Sequence, residues 1–368
     1  MPAEKRIRVC YILSYYFPAY VRTHTLLSAL RELPNVELYQ AVNTTTNFLH
    51  YFETIYKVIA IRIKYNPDLY ILGFRGYEFY WLIRLLTCKR PLLFDHMMSP
   101  YDSLLHEKQK IKPDSIPSRI LYWYEQSILK NADIVLADTP LHRQFFIQQF
   151  RIPERKVCVV HVGTDEKLFK PIPIKLANTF TIFFYGSFLP LHGMPIILEA
   201  AKMVQELPIR FHLVGGHKLD LTWFHNTVQQ NNLTNIDHTL WIPYKLLPNA
   251  IATAHLCLGG PLGNTGQAQR IITGKTYQFL RMAKPTVIGQ VAHTYPFRDR
   301  DNCFYIPQGN ANALTGTIRW AFTHRSQLPE IGQNGYRIYQ DNFSKHKISL
   351  ELETVIKNEI LSASIPVS

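Results

Sequence analysis

Short runs of apolar residues alternate along this chain with longer segments in which apolar and polar residues recur with helical spacing. Continuous apolar runs are typical of parallel strands buried on both faces, and the amphipathic segments are typical of the helices that cover them. The pattern therefore predicts an α/β protein with parallel sheets. In the first half, the predicted strands are Ile7–Leu13, Val36–Val42, Leu69–Leu72, Leu92–Phe94, Ile134–Leu136 and Val157–His161. In the second half, they are Phe180–Tyr185, Arg210–Val214, a short strand near Leu240, Leu256–Leu258, Thr286–Ile288 and Cys303–Ile306.

The alternation breaks between Gly163 and Asn178, where Pro171 and Pro173 interrupt the pattern and predict a linker. A chain of 368 residues also exceeds the usual size of a single core. We therefore predict two doubly wound domains, residues 1–170 and 171–343. A last amphipathic segment, Ser344 to Ile360, has no strand after it, and we expect residues 344–368 to pack back on the first domain.

Composition agrees with this class, because 47% of the residues are hydrophobic and either half can fill a core. The five cysteines are scattered and show no paired spacing, which is typical of reduced thiols in a cytoplasmic protein. The apolar run at Val9–Leu13 is too short for a signal peptide or a membrane span, and we interpret it as part of the first strand.

The chain is basic, with a formal net charge of +13, and so favours anionic partners. A nucleotide, an anionic membrane surface and nucleic acid all fit this charge. The segment Phe48–Tyr65 interleaves aromatic residues with Lys57, Arg62 and Lys64, which fits a helix lying on an anionic membrane and equally fits a surface helix that covers the sheet. Nucleic acid has little support, since there is no arginine-rich run and no aromatic RNA-binding motif.

Three glycine or aromatic loops follow predicted strands in the second half: Gly186-Ser187, Gly215-Gly216 and Trp241-Ile242-Pro243-Tyr244. The first continues to His192-Gly193 and a helix that starts near Pro195. In parallel sheets, ligands bind beyond the carboxyl ends of the strands, where such loops present free backbone N–H groups. These loops together predict a nucleotide site.

The segment Leu262–Ile288 adds a polar loop and a helix that opens with Gly274-Lys275-Thr276. A cation at a helix N-terminus opposes the macrodipole, but it suits a site where both must face an anion. We expect that anion to be a diphosphate.

Taken in order, these segments resemble the glycosyltransferases of GT-B fold, in particular the retaining group called family 4. The resemblance covers nearly the whole chain. It implies two Rossmann-like domains that face each other across a cleft, with a nucleotide-sugar donor on the second and an acceptor on the first. The matching segments are Gly186 to Ala200, Val214-Gly215-Gly216, Lys284-Pro285-Thr286-Val287, Val162-Gly163-Thr164-Asp165 with Phe169, and Ala132-Asp133-Ile134-Val135.

Several positions depart from the family's pattern. Ser187 and His192 stand where members usually carry an arginine and a lysine, and Arg270 and Gln278 stand where they carry paired glutamates. Lys275 matches a lysine found in part of the family. The resemblance therefore implies that Lys275 contacts the diphosphate, that Gln278 meets the ribose and that Arg270 compensates for the missing cations. The remaining expected donor-site residues are Gly186, Ser187, His192, Gly215, Tyr244 and Thr276.

In the first domain, Asp95 and His96 follow a strand where family members often have a histidine lining the cleft. As catalytic residues they would orient the acceptor hydroxyl or the donor sugar. The alternative is that Asp95 caps a turn and that His96 is satisfied by the backbone. Tyr20, Arg22 and Asp102 are expected to line the same cleft, with Arg22 in place of the glycine loop of the family.

Cations in the donor site stabilise the transition state, because the departing diphosphate gains negative charge while the sugar becomes oxocarbenium-like. We therefore expect neither a metal nor a bound cofactor. The one Asp-x-Asp sequence, Asp299-Arg300-Asp301, is interpreted as a loop before the last strand rather than as a metal site.

We therefore predict a cytoplasmic, metal-independent glycosyltransferase that moves a sugar from a nucleotide diphosphate sugar to an acceptor hydroxyl, and the resemblance implies that it retains the anomeric configuration. The expected acceptor is a saccharide or a lipid-linked saccharide in surface polysaccharide or glycolipid synthesis, met at the inner face of the membrane. Two alternatives stay open: a catalytically inactive binding or scaffolding subunit of the same fold, and a sugar-nucleotide epimerase.

Overall fold

The computed structural model describes residues 6–216, 218–291 and 296–363, and the chain forms two compact units. Unit 1 contains the residues up to Gly163 together with the segment from Lys345 onwards, and unit 2 is Thr164–Ser344. The division thus falls before Thr164, whereas the sequence places it after Lys170. Phe169 explains the difference, because its fully buried ring packs with Phe183 and Phe279 in the core of unit 2.

Unit 1 is built on a six-stranded parallel sheet in the order β2-β1-β3-β4-β5-β6. Its strands are β1 Ile7–Leu13, β2 Val36–Val42, β3 Leu69–Leu72, β4 Leu92–Asp95, β5 Ile134–Ala137 and β6 Val157–Val159. Its helices are α1 Val21–Leu30, α2 His50–Tyr65, α3 Tyr80–Leu86, α4 Pro100–Asp102, α5 Ile116–Asn131, α6 Pro140–Phe150 and α13 Lys345–Ala363.

Both faces of this sheet are covered, which is why β3, β4 and β5 are uninterrupted buried runs. α2, α3, α5 and α6 contribute to the core on one face, and α1 and α13 to the core on the other. Ile348, Leu352 and Ile356 of α13 pack with Leu26 and Leu30 of α1. The C-terminal helix therefore packs on the first domain, as the sequence predicts.

Unit 2 repeats the architecture with a parallel sheet in the order β12-β11-β10-β7-β8-β9. Its strands are β7 Phe180–Gly186, β8 Ile209–Gly215, β9 Ile236–Thr239, β10 Leu256–Leu258, β11 Thr286–Gly289 and β12 Phe304–Ile306. Its helices are α7 Met194–Met203, α8 Lys218–Gln230, α9 Leu247–Ala252, α10 Gly274–Arg281, α11 Ala311–Thr323 and α12 Leu328–Asn342.

The predicted strands agree with these bounds except at a few ends. β6 stops at Val159 instead of His161, because the backbone N–H of His161 donates to the Glu351 carboxylate of α13 at 2.9 Å. The strand expected near Leu240 ends one residue earlier, at Thr239. The fold class predicted from the apolar runs is confirmed.

Candidate nucleotide-sugar site

The sheet of unit 2 has its switch point between β7 and β10. The chain moves from β7 outwards through β8 and β9, then returns to the other side of β7 with β10. At such a switch point, the carboxyl ends of the strands are where ligands bind in open α/β sheets. Here the loops after β7 and β10 meet, because the backbone N–H of Gly263 donates to the carbonyl oxygen of Leu191 at 3.0 Å. Gly186 ends β7, and the loop after β10 leads to α10, so the predicted donor residues belong to this edge.

Close backbone packing at this edge requires glycine. Gly215 has a φ of +111°, and a Cβ there would lie 2.1 Å from the carbonyl oxygen of Gly186. Gly193 has a φ of +69°, and a Cβ there would lie 2.6 Å from the backbone nitrogen of Gly263. The turn after β7 therefore touches both the turn after β8 and the loop after β10.

Lys275 lies in the first turn of α10 and is 5% exposed. Its Nζ is 4.8 Å from the centroid of the Phe184 ring on β7, and among the described residues it makes no hydrogen bond or ion pair. Burial lowers the pKa of Lys275 to about 7. A buried cation supported only by a ring face suits a site that an anion completes.

His192 accompanies this lysine. A Cβ at Gly186 would lie 3.0 Å from Cε1 of His192, and the His192 and Phe184 rings are 5.8 Å apart. Its Nδ1 is buried without a hydrogen-bond partner in the part of the chain that the structure describes. Burial, and then the charge of Lys275, lower the pKa of His192, so the ring is neutral. The structure thus brings Gly186, His192 and Lys275 together, with Ser187 exposed beside them.

Gln278 lies one helical turn after Lys275 and is buried between two tyrosines. Its Oε1 accepts a hydrogen bond from the Tyr185 hydroxyl, and its Nε2 donates to the Tyr244 hydroxyl at 3.5 Å. Tyr244 is 42% exposed and is the accessible member of the group. A ribose contact by Gln278 stays a prediction. The structure adds Tyr185 to the residues of this site, and its position next to Gly186 at the end of β7 was the signal in the sequence that could have indicated it.

Two further predicted donor residues have structural partners. The Thr276 hydroxyl is fully buried, donates to the Gly260 carbonyl oxygen at 3.2 Å and lies 3.0 Å from the Thr273 hydroxyl. It holds the loop after β10 against α10, and a donor contact by Thr276 stays a prediction. Arg270 is half-buried in that loop, where its Nη1 lies 3.5 Å from the position of a Cβ on Gly266.

In unit 1, Arg22 and Asp95 form a fully buried ion pair. Arg22 Nε donates to both Asp95 carboxylate oxygens at 2.9 and 3.1 Å, Nη2 donates to Oδ1 at 2.7 Å, and Nη1 donates to the carbonyl oxygens of Val160 and His161. Both side chains are 0% exposed. Arg22 and Asp95 thus satisfy each other inside unit 1. Contact of Arg22 with a ligand and a catalytic role for Asp95 stay predictions.

His96 also has an internal partner. Its Nε2 lies 2.9 Å from Oε1 of Glu125, whose Oε2 accepts the backbone N–H of Tyr101 at 2.8 Å. Asp102, the residue after Tyr101, is also buried, and its backbone N–H donates to the Ser99 hydroxyl at 3.1 Å. Tyr20 is 36% exposed, and its ring lies 4.7 Å from that of Phe74. Catalytic action by His96 and cleft positions for Tyr20 and Asp102 stay predictions.

Sequence reasoning missed a second carboxylate–histidine pair in unit 1. Asp138 follows β5, and its Oδ1 lies 2.7 Å from Nδ1 of His142 in the first turn of α6. His142 is 0% exposed, and its Nε2 has no hydrogen-bond partner among the described residues. The i, i+4 spacing of Asp138 and His142 was the signal that could have revealed the pair.

The Asp-x-Asp sequence lies in a loop. Asp299 Oδ1 accepts the backbone N–H of Tyr305 at 2.9 Å, and the carbonyl oxygen of Asp301 accepts the Asn334 amide at 3.1 Å. Across residues 6–216, 218–291 and 296–363, no group of three or more His, Cys, Asp or Glu side chains is placed to hold a metal ion. Over the same ranges, no helix combines the length and apolar character needed to cross a membrane.

No protein-family model and no curated protein sequence matches the chain. Several solved structures do match the fold of the chain. Sucrose-phosphate synthase from Thermosynechococcus elongatus superimposes with a TM-score of 0.73 at 17% identity, covering 98% of this chain and 100% of that one. HepE from Anabaena, in complex with UDP-glucose, gives 0.69 at 15% identity with 96% and 100% covered. A glycosyltransferase from Rickettsia africae gives 0.69 at 13% identity with 98% and 100% covered. The chain therefore has the GT-B fold of these glycosyltransferases.

Proposed function

We propose that this chain is a glycosyltransferase that binds a nucleotide diphosphate sugar at the switch point of unit 2 and transfers the sugar to an acceptor hydroxyl. The observation that carries the proposal is Lys275, a buried cation with no hydrogen bond to the described residues, beside the glycine turn at Gly186. A diphosphate there supplies the anion that the site lacks.

The position of Lys275 also suits the chemistry. When the glycosidic bond to the donor breaks, negative charge builds on the diphosphate, and a preorganised cation in a dry site stabilises that charge more than it would in water. The first turn of α10 contributes further positive potential. We take retention, independence of metal and membership of family 4 from the sequence resemblance, as parts of the proposal.

HepE, which shares the fold, was solved with UDP-glucose, and this favours a uridine diphosphate sugar as the first donor to try. The acceptor is proposed to be a saccharide or lipid-linked saccharide, used on the cytoplasmic side in surface polysaccharide or glycolipid synthesis. In unit 1, His96 with Glu125 and His142 with Asp138 are the titratable pairs after neighbouring strands β4 and β5, and they are the candidates for orienting the acceptor.

Ligand-observed NMR of the purified chain against UDP-, GDP-, dTDP-, CDP- and ADP-sugars tests the donor site. We expect one nucleotide sugar to bind and Lys275→Met to abolish that binding. Lys202→Met is the matched control, because Lys202 is an exposed lysine of unit 2 whose Nζ donates to Asn231 Oδ1 at 3.0 Å. Equal loss in both variants, or no loss in Lys275→Met, contradicts the assignment.

Transfer is tested next, with the selected donor and a panel of saccharide and lipid-linked acceptors. The expected product keeps the anomeric configuration of the donor, and turnover continues in excess EDTA. A product with inverted configuration would contradict retention. If EDTA stops turnover and added metal restores it, the enzyme depends on a metal and that part of the proposal is wrong.

One observation favours a second candidate, a binding subunit without turnover. Arg270 and Gln278 replace the family's glutamates, and the Gln278 amide is already hydrogen-bonded to Tyr185 and Tyr244. Donor binding with neither transfer nor hydrolysis across the acceptor panel would favour this candidate. Isomerised donor in the absence of any acceptor would instead indicate an epimerase.

A further inference from the structure

Exposed apolar side chains of unit 1 are concentrated on three helices, α2, α3 and α5. On α2 and the residues just before it, Phe48, Phe52, Tyr56 and Ile63 are 68–80% exposed. Their spacing, with Ile59 between, places them along one stripe of the helix. A stripe of this kind on a water-facing helix is costly unless it meets another surface.

The other two helices carry the same feature. Trp81, Leu82 and Leu85 of α3 are 40–72% exposed. Ile116 and Ile120 of α5, together with Trp123, are 62–74% exposed and again follow a helical spacing of three to four residues. The exposed apolar positions are thus grouped on three helices rather than scattered as single residues.

The three helices belong to one layer. Val58 of α2, Ile83 of α3 and Ile128 of α5 all pack into the core on the same face of the sheet. The Tyr80 hydroxyl of α3 donates to Asn131 at the end of α5 at 3.0 Å. The ring of Tyr51 on α2 lies 5.5 Å from that of Phe79, the residue before α3.

The exposed stripes lie opposite these core contacts. At 100° per residue, Ile63 points about 140° away from Val58, and Trp123 points about 140° away from Ile128. Because all three helices bury one side on the same sheet, their apolar outer sides face the same way. We call this surface the outer helical face, represented by Phe52, Ile63, Leu85, Ile120 and Trp123.

Charge on these helices is one-sided. Lys57, Arg62, Lys64, Arg84, Arg119 and Lys130 are their basic residues. Their acidic residues are Glu53 and Glu125, of which Glu53 is paired with Lys57 at 2.7 Å and Glu125 is buried beside His96. The loop before α5 adds the exposed Lys108, Lys110 and Lys112 and one exposed carboxylate, Asp114. Of the basic residues on the helices, Arg84 is paired with Asp133 at 2.9 Å. The outer helical face is therefore apolar and aromatic, with more basic than acidic groups around it.

We propose that the outer helical face binds an anionic lipid bilayer, with α2, α3 and α5 lying in the plane of the interface. Apolar side chains enter the boundary between headgroups and acyl chains, tryptophan and tyrosine lie at headgroup level, and the lysines and arginines meet anionic headgroups. A second copy of this chain would match the apolar stripes, but with a net charge of +13 it would leave the basic excess without a counterpart.

This inference rests on the surface of unit 1 and not on donor binding in unit 2. Its success would favour a lipid-linked acceptor. The two proposals fail separately, because vesicle binding needs no nucleotide sugar and donor binding needs no vesicle.

Flotation of the full chain with phosphatidylcholine vesicles, with and without phosphatidylglycerol, tests the proposal. We expect binding to the anionic vesicles that weakens with salt, and a loss of about tenfold or more in partitioning for Ile63→Glu and Trp123→Glu. The matched control is Trp223→Glu, since Trp223 lies on α8 of unit 2 and is 43% exposed. It makes the same charge change and should bind as the unaltered chain does.

A second readout does not depend on destabilising variants. Lipids brominated in the acyl chains should quench the fluorescence of Trp81 and Trp123, and the double variant Trp81→Phe/Trp123→Phe should lose that quenching while still floating. Three results overturn the proposal: no flotation, equal flotation of all variants, or a dimer of the unaltered chain that Ile63→Glu dissociates without any effect on vesicles.

Discussion

Two buried cations of this chain have opposite surroundings. Arg22 in unit 1 is surrounded by acceptors, namely both oxygens of Asp95 and two backbone carbonyls. Lys275 in unit 2 meets the face of Phe184 and the neutral ring of His192. Buried charges are normally paired, so Arg22 has a structural environment, whereas Lys275 has the environment expected of the proposed diphosphate contact.

Donor affinity should therefore depend on pH through Lys275. Its pKa is about 7 in the folded chain, so raising the pH above that value removes the charge that attracts the diphosphate. Between pH about 7 and 9, where a nucleotide sugar's diphosphate has constant charge, affinity should fall by up to about tenfold per unit. Calorimetric titration with the nucleotide sugar selected by NMR measures this. Lys275→Arg should abolish the dependence, and a flat profile for the unaltered chain would place the diphosphate elsewhere.

The lowered pKa of Lys275 should affect folding stability in the opposite direction, so that stability rises with pH while donor affinity falls. In the unfolded chain the lysine keeps its ordinary pKa near 10.5, so between pH about 7 and 10.5 the unfolded state holds a proton that the folded state has lost. The contribution of Lys275 to stability therefore rises with pH across this window and is least favourable below pH 7. Urea unfolding of the chain and of Lys275→Met at several pH values should show a difference between them that shrinks as the pH rises.

Breaking the Arg22–Asp95 pair should destabilise unit 1. Arg22→Met leaves a buried carboxylate without its counter-ion, and the expected cost is about 3–5 kcal/mol. The double variant Arg22→Met/Asp95→Leu should recover part of that loss, because it removes the orphaned charge. Urea unfolding followed by circular dichroism measures both. A change below about 1 kcal/mol in the single variant would contradict the structural role.

At the scale of single elements, α10 and α13 show how differently helices serve this chain. α10 is short, and the two proposed donor contacts Lys275 and Gln278 lie one turn apart on it. α13 is long and bears packing, because Ile348, Leu352 and Ile356 enter the core of unit 1. His161 further ties α13 to the end of β6, with Nδ1 2.7 Å from Glu351 Oε1.

Truncation of one apolar residue in α13 should therefore be costly. Leu352 is 0% exposed, and Leu352→Ala should destabilise unit 1 by about 2–5 kcal/mol through lost burial and the cavity left behind. Leu350→Ala is the matched control, since Leu350 is 43% exposed two positions earlier on the same helix. Chemical unfolding of both variants checks the expectation, and equal stabilities would show that α13 contributes little.

At the scale of the whole molecule, each unit is a complete doubly wound sheet with its own core, but only unit 2 is continuous in sequence. Unit 1 is closed by α13, which returns from the end of the chain to cover the sheet beside α1. The residues proposed to bind the donor all belong to unit 2. We therefore expect donor binding to be a property of unit 2 alone.

The fragment Thr164–Ser344 should fold alone and bind the selected nucleotide sugar within about an order of magnitude of the affinity of the whole chain. A fragment ending at Gly163 should not be soluble, because without α13 it exposes the apolar side of α1. Expression of both fragments and titration of the first measure this. Loss of donor binding by the folded fragment would show that unit 1 contributes to the donor site.

The sequence by itself determined the strands of the sheets, because a strand buried on both faces must consist of a continuous run of apolar residues. Such a run can be recognised without knowing how the other elements pack. It also located the glycine turns after β7 and β8 and the lysine that opens α10. These features are local, since backbone conformation and position in a helix depend on neighbouring residues.

Tertiary structure alone decided which polar residues are available to a ligand. Arg22 and Asp95 are 73 positions apart, so nothing local announces that each satisfies the other, and Gln278 meets Tyr185 only because α10 packs against the end of β7. Burial and pairing depend on contacts between distant segments. Packing also leaves Lys275 without a hydrogen-bonded partner among the described residues. In this it differs from Arg22 and Asp95, which are paired with each other inside unit 1.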